Sequence, residues 1–586
     1  MIAKRLTSVV LGIIFSFSAA PGWVVSVHAQ SLDIAEILPA STVVFLEGAP
    51  PDLVLATPFV QRVVASAAFQ ETLRDPKVLP SIAGLALAEL ALGETTVNLV
   101  SSLARQGWFF AIDAETQGLV MLARAEDQAS LSRRIARVTA LVRQQQAGNG
   151  SSFEENDYRG WKVFKTDQGV VAHRDEWLMI ANQKVLAKQI ADAIIDGNPA
   201  NLASTPSFQK AMQGEQRRID LEAGKVAWLY VDVERIRSAG VVAELFRGRA
   251  DNPLAELLFG GVLTTLKHTP LLRAVGRIEN ESLRLVIDAP HDPSWVGEER
   301  EFFFGPQGKG SAFPALAAAQ PLLSASVYRD LSAMWLHAGD LFDEQVNEQL
   351  SLSESNLTTL FSGRDFGEEI LGAVQPEIRL AVSKQNFTAG DPQPAIKLPQ
   401  FAIVAQLREP ETMQRELRRS FQSLIGFLNV VGAMDGQPPL DLESEKEEGV
   451  SLTFGTYAID RDEKKIDQLP LQFNFSPTLA FRDQWMILSS TAGLARELIA
   501  VDLNPQEAIL SNTTVQIEGE AIVELLEENR QQIIAGNMIS QGQTAEEAER
   551  DLAGLLIWLR LADQLTLDYR VGSQASLSLT LTLERE

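Results

Sequence analysis

Apolar and polar positions along this chain switch between the period of two expected of half-buried strands and the 3.6-residue period of amphipathic helices. In the first half the pattern predicts a strand over 38–48, helices over 58–74 and 79–104, and strands over 108–113 and 118–123. A helix over 130–146 follows, with Leu131, Ile135, Val138 and Val142 on one face, then a glycine-marked turn over 148–152 and a strand meander over 153–181. After another helix come a strongly apolar strand over 225–233, helices over 233–246 and 253–266, and two closing strands over 271–278 and 282–289.

The second half repeats this order. Strands are predicted over 322–329, 376–382 and 401–406, with a helix over 330–350 and a proline-rich loop over 386–400 that the first half lacks. A helix over 409–431 matches the one over 130–146 and carries Met413, Leu417, Leu424 and Phe427 on its apolar face. A strand over 513–518, two helices, and a closing hairpin over 564–569 and 576–583 complete the copy.

One stretch matches residue by residue. Sliding residues 170–194 by 308 positions pairs Ala172 with Ala480, Arg174 with Arg482, Asp175 with Asp483 and Trp177 with Trp485. The unit reads as a hairpin turning at Arg-Asp, an N-cap at Asn182 or Ser490, and a helix burying Leu186, Ile190 and Ile194 that stops at Gly197. The paired tryptophans are expected as core anchors and the Arg-Asp pairs as solvated turns. The fold class that follows is α+β: internally duplicated antiparallel meander sheets covered by helices.

Residues 1–29 carry a basic start at Lys4 and Arg5, an apolar run, and small residues before Gln30, the pattern of an export signal peptide. Residues 30–290 then form copy one, 291–319 a linker, and 320–586 copy two. The expected location is periplasmic or extracellular. The alternative is anchorage through an uncleaved N-terminal helix, the one route to a membrane, because residues 6–27 carry no ionisable side chain. With no cysteine, the chain has no thiol chemistry, disulfide or Cys-ligated metal. A net charge of −25 repels nucleic acid and anionic lipid.

Candidate chemistry is sparse. His173, His268, His291 and His337 stand in no metal-binding spacing, and His173 aligns with Phe481, which favours packing. His291 and Asp292 near Glu298 and Glu299 form a linker cluster that could hold a metal. Ser207 and Lys210 have the S-x-x-K spacing of acyl-enzymes without the elements that accompany it. Residues 305–311, GPQGKGS, lack the first glycine of a phosphate loop, since Phe303 stands there. The arginines of the helix over 130–146 (Arg133, Arg134, Arg137, Arg143), and Arg415, Arg418 and Arg419 in its counterpart, are expected on solvated faces. No catalytic, cofactor or metal residue is assigned.

The LPASTVVFLEG opening of residues 38–48, the R-D-x-W meanders and the capped helix after them resemble a broad family of exported bacterial proteins known only as a domain of unknown function. The second copy departs at its opening, QPLLSASVYRDL over 320–331. The resemblance implies an extracytoplasmic α+β protein and no catalytic residue. The expected function is non-enzymatic: binding a protein partner or carrying an apolar ligand, or a structural role, at the cell envelope. The alternative is a hydrolase using two carboxylates.

Overall fold

The computed structural model describes residues 33–74, 89–90, 92–146, 154–166, 169–213, 217–240, 249–316, 318–361, 363–387, 393–434, 436–457, 468–504 and 511–584. The proposed signal peptide, most of the first turns of the helix expected over 79–104, the turn at 148–152 and the end of the helix expected over 233–246 lie outside them. The chain forms two compact units, one from Met1–Ala243 and Thr269–Pro290, the other from Glu244–His268 and His291–Glu584.

In unit one the alternating stretches form β1 (Thr42–Gly48), β2 (Trp108–Asp113), β3 (Gly118–Arg124), β4 (Glu154–Tyr158), β5 (Trp161–Thr166), β6 (Gly169–Arg174), β7 (Trp177–Ala181), β8 (Lys225–Asp232), β9 (Leu271–Glu279) and β10 (Ser282–Pro290). All pairings are antiparallel, in the order β4-β5-β6-β7-β3-β2-β1-β8-β9-β10. Its helices include α1 (Gln128–Gln146), α2 (Lys184–Asp196) and α3 (Pro206–Ala211).

Unit two begins with α4 (Pro253–His268), which precedes the last two strands of unit one in the chain. Its strands are β11 (Pro321–Tyr328), β12 (Val374–Ser383), β13 (Gln400–Leu407), β14 (Leu440–Glu447), β15 (Val450–Tyr457), β16 (Thr478–Arg482), β17 (Trp485–Ser489), β18 (Thr513–Glu518), β19 (Ala562–Val571) and β20 (Gln574–Leu583). They pair antiparallel in the order β14-β15-β16-β17-β13-β12-β11-β18-β19-β20, the order of unit one strand for strand. Covering helices are α5 (Pro410–Met434), α6 (Ala492–Ala500), α7 (Gly519–Glu528), α8 (Arg530–Gln541) and α9 (Ala545–Leu561). A short parallel bridge, Gln393–Pro394 with Gln468–Leu469, sits in the proline-rich insertion.

Helices lie against both faces of each sheet: in unit one Met179 packs toward α2 and its neighbour Leu178 toward Leu131 and Ile135 of α1, and in unit two Ala480 packs toward α6 while Leu479 and Phe481 pack toward α5. In unit one the core gathers Phe45, Trp161, Trp177, Trp228 and Tyr230 under Leu186 and Ile190 of α2 and Phe208 of α3. Phe208 meets Trp228 and Tyr230 edge-on, with ring centres 5.8 and 5.1 Å apart. In unit two Trp485 and Ile487 pack under Leu494 and Leu498 of α6. The segment 291–319, read as a linker, carries Phe302, Phe303 and Phe304, which are fully buried in unit two's core.

Two expectations differ from the fold. The helix expected over 330–350 breaks into Leu331–Leu336, Ala338–Leu341 and Glu344–Leu360. Phe342 leaves helical geometry there to enter the core, and Asp343 caps the last piece by accepting from Val346 N at 2.9 Å. Asn182 and Ser490 are also not helix caps. Thr491 caps α6 by accepting from Leu494 N at 3.2 Å, whereas Gln183, at the start of α2, makes no cap bond. Asn182 and Ser490 instead clamp the sheet. The Asn182 side chain accepts from Leu119 N at 2.7 Å, and the Ser490 hydroxyl accepts from Phe401 N at 2.8 Å.

Candidate functional site

Arg174 and Arg482 end β6 and β16, and the two-residue loops that follow open on Asp175 and Asp483, both left-handed at φ 51° and 52°. A short polar side chain tolerates that conformation better than most. These are turns, and their arginines serve the scaffold: Arg482 donates to the carbonyls of Ile499 and Val501 at the end of α6. Trp177 and Trp485 are core residues.

Each histidine packs among its neighbours. His173 stacks on Phe164 with centres 6.1 Å apart, and burial together with the cross-strand Lys162 holds its imidazole below its ordinary pKa. His268 stacks on Trp295. His337 lies 3.7 Å from Asp340. His291 is 6% exposed, stacked 5.1 Å from Phe304, with Nδ1 3.4 Å from the Thr265 hydroxyl. Burial lowers its pKa. Asp292 turns away to cap the short turn Pro293–Trp295 by accepting from Ser294 N. Among the described residues, no three His, Asp or Glu side chains converge as a metal site.

Ser207 meets Tyr230 OH at 2.9 Å, and that hydroxyl donates to Asp232 at 3.2 Å, while Lys210 is exposed. The link ties α3 to β8, and burial pushes the Tyr230 phenol up, so it stays a neutral donor. In the 305–311 stretch Gly310 lies against Tyr328. A Cβ there would sit 2.5 Å from that ring, so packing explains the glycine.

Unit two also buries charge. Glu256 in α4 pairs with Arg300 at 3.0 Å, and Arg300 also donates to Gly260 O and the Thr264 hydroxyl. Arg329 lies 3.5 Å over the Phe303 ring and donates to Leu257 O, Tyr328 O, Asn512 and Thr513, so all its hydrogen-bond partners are neutral. Burial lowers its pKa to about 9. Both sites are sealed within the core and organise it.

Among the described residues, three surface features of unit two stand out. The first is a cleft of about 430 Å³ lined by Glu520, Glu524, Glu527, Glu528, Asp563 and Glu584 with Lys384 and Arg560. Three of its six acids are engaged: Lys384 reaches Glu524 and Glu528 at 2.9 and 2.8 Å, and Arg560 reaches Glu527 at 2.9 Å. The second is a cleft of about 490 Å³ between the face of the helix Glu344–Leu360 and Trp335.

The third is the end of α5. Its inner face buries Met413, Phe421 and Ile425. Asn429 then clamps the helix to β14, donating to Leu440 O at 2.9 Å and accepting from Leu440 N at 2.7 Å. With that face fixed, Phe427, Val430 and Met434 point outward, 58%, 65% and 83% exposed. Residues 420–434 carry no charge. Periodicity assigns Phe427 to the packed face, yet it is exposed. The signal for this is the charge-free run between Arg419 and Asp435, which leaves two apolar faces where an amphipathic helix has one.

No family model matches the chain, and no curated protein matches it. Among solved structures, crystal forms IV and III of TP0453 align over 44% and 45% of this chain and 81% of theirs, at 8% identity and TM-scores of 0.24 and 0.25.

Proposed function

We propose that this chain is an exported, non-enzymatic binding protein of the cell envelope that engages an apolar ligand, a lipid, at the end of α5. The observation that carries the reading is the clamped, uncharged helix end with Phe427, Val430 and Met434 exposed. Clustered exposed apolar side chains mark an interaction surface, whereas scattered ones need no explanation. Arg415 and Arg419, both exposed, precede the stripe, a pattern suited to a helix lying at a lipid–water boundary. The net charge of −25 turns the choice toward uncharged or zwitterionic lipid over anionic lipid. The apolar run at residues 6–27 supports export.

The test is flotation of the chain from residue 30 onward with phosphatidylcholine vesicles, together with mass spectrometry of solvent extracts. Co-flotation is expected, and Phe427→Ser combined with Val430→Ser and Met434→Ser reduces it at least about tenfold, the loss of roughly 1.4 kcal/mol or more of apolar burial. These side chains are exposed, so the triple variant keeps the wild-type melting behaviour. A wild-type chain that neither floats nor yields lipid on extraction sinks the reading.

A further inference from the structure

A different site, independent of the α5 reading, is built between Trp335 and the helix Glu344–Leu360. Glu344, Asn347, Ser351 and Glu354 line the cleft at spacings of three, four and three, so they lie on one helical face. From first to last they span ten residues, about 15 Å at a rise of 1.5 Å per residue. The wall is therefore a row of side chains, suited to an extended ligand.

The row is anchored at its N-terminal end. Asp343 caps the helix, and Asn347 donates to Phe342 O and Asp343 O at 2.9 and 3.0 Å, which leaves its Oδ1 as an acceptor. Ser351 donates to Asn347 O at 2.9 Å, leaving its oxygen lone pairs free. Ala250 N donates to Leu341 O and Ala250 O accepts from Asp343 N, so the neighbouring Arg249 is pinned at the mouth of the same helix. Arg249, Glu344 and Glu354 form no ion pair with any described residue.

The opposite wall carries a flat apolar surface. Trp335 is half-buried and set edge-on to Phe366 with centres 5.0 Å apart. It lies so close to Gly367 that a Cβ there would sit 2.7 Å from the indole Cδ1. The ring is thus fixed before any ligand arrives, which removes an ordering cost. Ala338 and Gly339 beside it are small and leave its edge accessible.

We infer that this cleft binds an uncharged, hydroxyl-rich oligosaccharide in extended form. The C–H face of a sugar ring is apolar and flat enough to lie on an indole, while every hydroxyl on its rim can donate to the row of acceptors. One guanidinium among them supplies the donor for a ring or carbonyl oxygen. An acidic glycan is disfavoured by two unpaired carboxylates and by the net charge of −25. A peptide backbone presents donors and acceptors in equal number and matches an acceptor-rich wall less well.

The test is isothermal titration of the mature chain with chitotetraose, cellotetraose and maltotetraose, with an alanine tetrapeptide and spermidine as contrasts. At least one tetrasaccharide is expected to bind, and Trp335→Ala weakens it at least about tenfold, a factor worth 1.4 kcal/mol. Because Trp335 also packs on Phe366, Ser351→Arg provides the second variant: it fills the cleft from an exposed position, keeps the melting temperature, and abolishes binding. Three results each overturn the inference: no tetrasaccharide binding at millimolar concentration, binding untouched by Ser351→Arg, or binding of the tetrapeptide or spermidine in preference. Lipid binding by α5 is unaffected by either variant, so the two sites fail or succeed separately.

Discussion

The two units carry the same strand order and the same Arg-Asp-x-Trp hairpin, yet they support that hairpin by different chemistry. In unit one the support lies at the surface. Arg124 pairs with Glu176 of the turn at 2.9 Å and lies over Trp177 at 5.5 Å. The end of α2 is held by Arg159, which pairs with Asp192 and Asp196 at 2.6 and 2.7 Å, and Gly197 at φ 80° terminates it. In unit two the support lies inside. Arg379 is buried 4.2 Å over Trp485, donates to Leu503 O, and is lowered by burial to a pKa of about 10, while Arg482 caps the end of α6. Residues kept in the hairpin therefore mark what the fold requires. Residues around it were free to change so long as each tryptophan and each helix end kept a partner.

The sharpest way to break the parallel is to remove the tryptophans. Trp485 is wholly buried and hydrogen-bonded to Asn504 at 3.2 Å, and its loss also strips the ring from a buried guanidinium. Trp485→Ala is expected to destabilise unit two by about 4–5 kcal/mol, and Trp177→Ala, 7% exposed beside an arginine that keeps its ion pair with Glu176, unit one by about 3 kcal/mol. Denaturant unfolding read by hydrogen exchange in β5–β7 and β15–β17 separates the two. Equal losses would show that the buried Arg379 contributes nothing to its tryptophan's importance.

Much of this fold is written in periodicity. Strands such as β11, whose side chains alternate between partly and fully buried, follow the period of two, and α+β class and duplication follow from it. What the pattern missed has physical causes. Asn182 and Ser490 are good cap residues by type, but a side chain at the end of a strand can also reach the neighbouring strand's amide, and only the sheet pairing decides which. Phe302–Phe304 stand in a segment rich in proline and glycine, where the apolar triplet signals packing but no period assigns it to an element. The cleft at Trp335 has another cause: periodicity predicts one helix over 330–350, and only the break at Phe342 brings Glu344, Asn347 and Ser351 to face Trp335.

A finer contrast comes from that clamp. Ser490 is buried and Asn182 exposed, though both side chains hold the same kind of strand amide. Ser490→Ala, at a 7% exposed position, leaves Phe401 N without its side-chain acceptor at a cost of about 1 kcal/mol; Asn182→Ala, at an exposed position, lets water replace the side chain, at about 0.5 kcal/mol. Thermal melts of the two single variants measure the difference. A reversal of order would mean that exposure does not set the worth of this bond.

The smallest expected effect concerns an aligned strand position where the copies differ in ionisable character, His173 in β6 against Phe481 in β16. The folded imidazole has a lowered pKa through burial first and Lys162 second, with Glu155 opposing. The unfolded chain therefore takes up the proton before the folded one, and stability is lost as pH falls below the ordinary value near 6.5 toward the depressed folded value. Above 6.5 both states are neutral and the residue adds no pH dependence. The ring is only half-buried, so solvent screening keeps the effect well under about 1 kcal/mol. His173→Phe gives unit one the residue of unit two, keeps the stacking on Phe164, and removes that fall. Hydrogen exchange of the β5–β7 amides at pH 7.5 and pH 5 reads it locally: protection that drops with acid in the parent and stays level in the variant fits the account. If both respond equally, the acid sensitivity of unit one resides in its carboxylates, and the difference between the copies at this position is one of packing alone.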